Sequence, residues 1–151
     1  MFGEMIGFDG IAQKRHACNA IALEDSEVCV IPYQRMLLLT GELNPLKHRF
    51  FEFMSDEIVR CHGLITLLGS MNANQRLAAF LLNLLERQSA QGLSTTELIL
   101  RMTRQEIASF LGLKLETVSR TLSKFSGMGL IKVNRRQIQA INSMQLQKIV
   151  T

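Results

Sequence analysis

Between Glu116 and Lys124 the polar side chains Glu116, Thr117, Ser119, Arg120, Ser123 and Lys124 alternate with the apolar Val118 and Leu122, and Phe125 comes next. At 3.6 residues per turn the apolar three share one helix face and the polar ones take the other. The polar types suit the groove of a duplex. An Arg can donate two hydrogen bonds to guanine O6 and N7, a Glu can accept from a cytosine amino group, and a Ser is a small, adaptable contact. Arg120, Glu116 and Ser119 are therefore the candidates for reading base edges. Thr117 and Lys124, with Thr103, Arg104, Arg135 and Arg136 in neighbouring stretches, suit phosphates, which position a protein without specifying sequence. The alternative is a solvated face on which Glu116 and Arg120, four residues apart, form an ordinary helix pair.

The flanking sequence supplies elements to hold this face. Thr103 and Glu106 have the spacing of a capping box: the Thr hydroxyl accepts from the backbone three residues on, and the carboxylate reaches back. A short helix is expected from about Arg104, ending at Gly112, and a second from Leu115 to Gly127. Two helices meeting across so tight a turn need a small residue at their contact and a Gly at the reversal. Ala108 and Gly112 meet those needs, while Ile107, Leu111, Leu113, Val118, Leu122 and Phe125 form the apolar core. The spacing is that of a helix-turn-helix, with one departure: Thr121 stands where an aliphatic side chain is usual, and its methyl can substitute. Residues 130–133 and 137–141 alternate in polarity around a turn at Asn134, Arg135 and Arg136, a basic-tipped hairpin that makes the unit a winged helix. Ser143 is expected to cap a short last helix.

Charge is distributed to match. Of 151 residues, residues 1–40 carry three basic and five acidic side chains, residues 41–70 three and four, and residues 71–151 eleven and four. The overall +4 thus conceals a +7 C-terminal half-chain, which points to a polyanion. A membrane span needs about 20 apolar residues, whereas residues 77–85, the longest candidate, include Asn83. No secretory signal pattern opens the chain, and Cys18, Cys29 and Cys61 lack paired spacing, so a cytoplasmic, reducing location is expected. No phosphate loop, dinucleotide fingerprint or nucleophile elbow is present, and His16, His48 and His62 form no metal-ligand or acid–base pattern. Catalysis is not expected.

The N-terminal part reads differently. Residues 20–23 and 27–31 are expected as short strands, the second closed by Pro32. Such a piece cannot bury a core alone. Either it packs on the helical remainder of the chain, or it ends a larger β-domain. From Pro45 to about Leu68 a long helix is expected, with Phe51, Met54, Ile58, Cys61, Ile65 and Leu68 at alternating steps of three and four, a coiled-coil seam. Leu46, Phe50, Phe53, Leu64 and Leu67 make a second stripe beside it. Two apolar faces suggest one for the chain's own domain and one for a second copy; the alternative is burial on both sides within one subunit. Another amphipathic helix, with Leu77, Phe80, Leu81, Leu84 and Leu85 inward, starts at Asn72 or Ala73 and stops before Gly92.

Several stretches carry a family resemblance: Gly7-Phe8-Asp9, Val28-Cys29-Val30-Ile31-Pro32, Met54-Ser55-Asp56-Glu57-Ile58, Arg76-Leu77-Ala78-Ala79-Phe80, Met102-Thr103-Arg104-Gln105-Glu106-Ile107 and Glu116-Thr117-Val118-Ser119-Arg120. With these the sequence resembles, along essentially its whole length, the CRP/FNR family of bacterial transcription regulators, in its fumarate and nitrate reduction branch. Cyclic-AMP-type members usually have Arg just before the recognition Glu; here Leu115 is there. The resemblance implies a mainly α chain in three parts: residues 1–43 as the end of a β-roll sensor domain, 44–70 as a dimerisation helix, and 71–151 as the winged-helix DNA-binding domain. It implies a homodimeric, DNA-binding transcription regulator with TTGAT half-sites in a palindrome, activator or repressor; the alternative is an oxygen or redox sensor whose iron–sulfur cluster controls dimerisation. It also implies contact with RNA polymerase, for which the turn over residues 88–97 is the candidate. The chain then corresponds to an N-terminally truncated regulator. The oxygen-sensing branch holds a [4Fe-4S] cluster through three N-terminal cysteines and one late in the roll; Cys29 matches the last, the others have no counterpart, and the chain by itself is not expected to assemble the cluster.

Overall fold

A computed structural model describes residues 5–139 and 141–151. The chain divides into two units, Met1–Gly63 and Leu64–Thr151.

In the first unit, α1 (Gly10–Gln13) and α2 (Tyr33–Glu42) precede α3 (Asn44–Ser70), whose last two turns belong to the second unit. Asp9 ties the loop after α1, accepting from the Ala17 N–H at 2.7 Å and lying 3.2 Å from His16 Nδ1. These two partners, the amide first, hold its carboxyl below the usual aspartate value of 3.8. Residues 20–23 and 27–31 are irregular, a correction to the strands expected there. They keep the alternation of strands, but they pair with no ladder among the described residues, and Ile21, Val28 and Val30 are exposed. Pro32, expected to end a strand, instead precedes the first turn of α2, and Met36 is that helix's buried residue. The long helix forms with the expected bounds, without a break at Gly63.

The second unit is built around α4 (Ala73–Ser89), which begins with its own capping box. Asn72 Oδ1 accepts from the Asn74 and Gln75 N–H groups at 3.0 and 3.2 Å, and Gln75 Oε1 accepts from the Asn72 N–H at 3.0 Å. Leu77, Ala78, Phe80, Leu81, Leu82 and Leu85 are buried along one side of this helix. Next come β1 (Leu98–Ile99), α5 (Arg104–Leu111), α6 (Leu115–Gly127), β2 (Lys132–Asn134), β3 (Gln137–Gln139) and α7 (Ser143–Val150). The strands form one antiparallel sheet, β1-β3-β2, with Leu98 and Val133 both opposite Ile138. β1 was not anticipated; it turns the hairpin into a three-stranded wing. The last helix is capped by Asn142, whose Oδ1 accepts from the Gln145 N–H at 3.1 Å, rather than by Ser143. Among the described residues no helix is long and apolar enough to cross a membrane.

Candidate nucleic-acid interface

The expected capping box sets the start of α5. The Thr103 N–H donates to Glu106 Oε2 at 2.6 Å, and the Glu106 N–H donates to Thr103 Oγ1 at 3.2 Å. The Thr103 contacts, backbone first, and more weakly the charge of Arg136 hold the Glu106 carboxyl below its usual 4.5. The Leu100 N–H donates to Arg136 O at 2.8 Å, which ties the wing turn to the segment that leads into α5. Gly112 ends α5 at φ 60°, a left-handed conformation that costs a residue with a Cβ about 1–2 kcal/mol. The Leu113 N–H then closes the turn on Ala108 O at 2.9 Å.

That turn delivers α6 with one face sealed. Val118, Thr121, Leu122 and Phe125 are all buried, so Thr121 occupies the expected aliphatic place in the core. On the opposite face Glu116, Arg120, Ser123 and Lys124 are exposed, and Thr117 and Ser119 are half-buried. Among the described residues no ion pair joins Glu116 to Arg120, so the simple helix-pair alternative has no support in the geometry. The base-edge candidates thus lie on one side of one helix, Glu116 and Arg120 exposed and Ser119 half-buried.

The candidate phosphate groups surround it. Arg135 and Arg136 are the exposed two-residue loop between β2 and β3. Arg135 stands at φ 54°, a strained place for a residue with a Cβ. Arg104, at the first position of α5, is half-buried, and its Nη1 is enclosed without a hydrogen-bond partner. This narrows the part of Arg104 that an external phosphate can reach. Two exposed lysines escaped the sequence reading: Lys114, immediately before α6, and Lys132 on β2. Their signal was available in the half-chain charge, but neither lies on the polar stripe of α6 or at the hairpin turn.

On α3 the seam residues Phe51, Ile58, Cys61, Ile65 and Leu68 are exposed and Met54 is half-buried, whereas the second stripe, Leu46, Phe50, Phe53, Leu64 and Leu67, is half-buried throughout. Ile58 and Ile65 keep 55% and 67% of their surface open to solvent. The thiols of Cys18, Cys29 and Cys61 are free and exposed. A four-thiolate iron–sulfur site needs more cysteines than these three, and no three His, Cys, Asp or Glu side chains converge among the described residues. The chain's own residues do not fit such a cluster.

Residues 75–149 match the Crp-like helix-turn-helix domain family. Over 148 residues the chain is 46% identical to the transcriptional regulatory protein btr of Bordetella pertussis, covering 98% of this chain and 61% of that protein. It is 40% identical over 147 residues to the fumarate and nitrate reduction regulatory protein of Vibrio cholerae, covering 97% and 59%. The chain therefore spans about three fifths of the length of these relatives. The solved structure of FixK2 from Bradyrhizobium japonicum superposes with a TM-score of 0.71 at 28% identity, over 78% of this chain and 58% of that one. Sequence, fold and the sealed geometry of α6 converge: residues 75–149 belong to the Crp-like helix-turn-helix domain family, in a chain similar along nearly its whole length to the regulators just named.

Proposed function

We propose that this chain binds duplex DNA as a homodimer and regulates transcription in the cytoplasm, each α6 entering a major groove of a palindrome with TTGAT half-sites. The observation that carries the reading is α6 itself, whose apolar face is buried while Glu116, Ser119 and Arg120 stand together on the face turned away from the core. Glu116, Ser119 and Arg120 read base edges; Thr103, Arg104, Thr117, Lys124, Arg135 and Arg136 contact phosphates. The exposed seam on α3 is the dimer surface: Phe51, Met54, Ile58, Cys61, Ile65 and Leu68 meet their copies there. The turn after α4 is the candidate surface for RNA polymerase. Its shape is pinned from within, because Gln88 Nε2 donates to Ser94 O at 2.6 Å and Glu97 O at 2.7 Å.

A gel-shift titration with a TTGAT palindrome tests this. Retardation by the dimer, abolished when both half-sites are scrambled, is expected; a dimeric protein that leaves the palindrome unshifted refutes the reading. The exposed Cys29 thiol and the likeness to a fumarate and nitrate reduction regulator favour a second reading, in which a longer form of the protein supplies three more thiolates and Cys29 is a cluster ligand. Anaerobic reconstitution of that form decides it, since cluster content unchanged by Cys29→Ala rejects the assignment.

A further inference from the structure

Arg76, in the first turn of α4, does something its position in the sequence does not announce. Its guanidinium donates to three backbone carbonyls on three different segments: Nε–H to Met71 O at 2.8 Å, Nη1–H to Leu111 O at 3.0 Å, and Nη2–H to Leu68 O at 2.8 Å. Leu68 lies in the last turn of α3, Met71 in the link to α4, and Leu111 is the last residue of α5. None of these partners is a carboxylate. The positive charge instead sits at the C-terminal ends of two helices, where unpaired carbonyls and the helix dipole favour a cation. A guanidinium is planar and its donor directions are fixed, so three carbonyls in different directions define its orientation and, through it, their own.

The neighbouring turn is shaped to admit this fork. A Cβ on Gly112 would meet Arg76 Nη1 at 3.3 Å and Leu68 Cδ2 at 3.7 Å. Gly112 therefore serves two ends, the left-handed turn and the clearance that lets Arg76 reach Leu111.

We propose that Arg76 is the positioning residue that fixes the direction of the helix-turn-helix against the end of α3. In a dimer built on α3 it thereby holds the two recognition helices at one separation. The role in the dimer rests on the DNA-binding reading; the role within one chain does not.

The test has one arm without DNA. Spin labels at Thr66→Cys and Ser123→Cys, in a chain with Cys18, Cys29 and Cys61 changed to Ser and diluted with unlabelled chain, report the distance from α3 to α6 by pulsed electron resonance. A single narrow distribution is expected for the parent. Arg76→Ala and Arg76→Lys should both broaden it while circular dichroism still melts cooperatively, because one ammonium cannot span three carbonyls. Gly112→Ala, which leaves every donor in place, should broaden it too. An unchanged distribution in both Arg76 variants overturns the proposal whether or not the chain binds DNA. The second arm measures affinity for a single half-site and for TTGAT palindromes with varied spacing. The parent should prefer one spacing, with half-sites about 10 base pairs apart centre to centre or a multiple of that. Arg76→Lys should lose roughly tenfold or more on the preferred palindrome, flatten the spacing preference and keep half-site affinity within about twofold. Equal loss on half-site and palindrome makes Arg76 a residue of the fold alone and overturns it. If the parent binds no DNA, the DNA-binding reading fails, and the distance measurement alone decides the role of Arg76.

Discussion

Replacing Arg120 and replacing Lys124 should have different consequences, although both remove one positive charge from the same exposed face of α6. Arg120 lies one helical turn beyond Glu116, and a two-bond contact to guanine is worth about 1–3 kcal/mol of discrimination. A homodimer uses it twice, so Arg120→Ala should cost about 2–6 kcal/mol on the palindrome, a loss of roughly thirtyfold to twenty-thousandfold. Arg120 has no hydrogen bond or ion pair to Glu116 that its removal would break, so the loss should appear in binding and leave folding stability nearly unchanged. Lys124 stands a further four residues, or about 6 Å, along the axis. As a phosphate contact, its removal should weaken cognate and random DNA alike. It should also flatten the slope of log K against log salt by about 0.9 per subunit, or about 1.8 for the dimer. Fluorescence anisotropy on a TTGAT palindrome and a scrambled duplex, repeated over a salt series, separates the two. The role assignment is refuted if Arg120→Ala weakens both duplexes equally, or if Lys124→Ala changes the preference between them.

Thr103→Ala removes the acceptor for the Glu106 N–H and should cost about 1 kcal/mol in denaturant unfolding. The folded Glu106 carboxyl lies below its ordinary 4.5, so its contribution is complete above that pH and is lost as pH falls through the folded value. Acidification below about pH 4.5 should therefore destabilise the parent more than Glu106→Gln, and parallel pH–stability curves would contradict this. Arg135→Gly relieves a left-handed backbone at φ 54° and should stabilise the fold by about 1 kcal/mol while weakening DNA binding. Matched changes in melting temperature and affinity would argue against that opposition. Ile65→Asp places a charge on the open α3 seam and should raise the dimer dissociation constant at least about a hundredfold by sedimentation; an unaffected dimer would move the interface elsewhere.

The parts of the fold that were legible in the sequence are those specified by residues near one another in the chain. The Thr103–Glu106 box, the Gly112 reversal and the 115–127 stripe each need only a few consecutive residues to state their geometry, and the helices begin and end where those residues place them. The base-edge candidates come from the same stripe, because burying Val118, Leu122 and Phe125 determines which side chains of α6 remain outside. Residues 20–31 show the limit of local pattern. Their alternation is real, but a strand exists only when another strand accepts its backbone hydrogen bonds, and none does so among the described residues.

The features that sequence reasoning missed were specified by partners far along the chain. β1 is two residues long, and nothing in Leu98 and Ile99 marks a strand until Ile138 and Gln137 come opposite them from about forty residues away. Arg76 is the sharper case. In sequence it is one basic residue near the start of an amphipathic helix, indistinguishable by pattern from an ordinary solvated arginine. Its partners are carbonyls, which every residue has, so no residue type at Leu68, Met71 or Leu111 could betray the contact. In sequence the turn alone accounts for Gly112, whereas its second role, clearance for a guanidinium 3.3 Å from where a Cβ would be, exists only in three dimensions. Side-chain-to-side-chain sites leave a signature in residue types. Side-chain-to-backbone clamps leave it on one partner only, and that is why the element holding the recognition helix in place was less legible than the recognition helix itself.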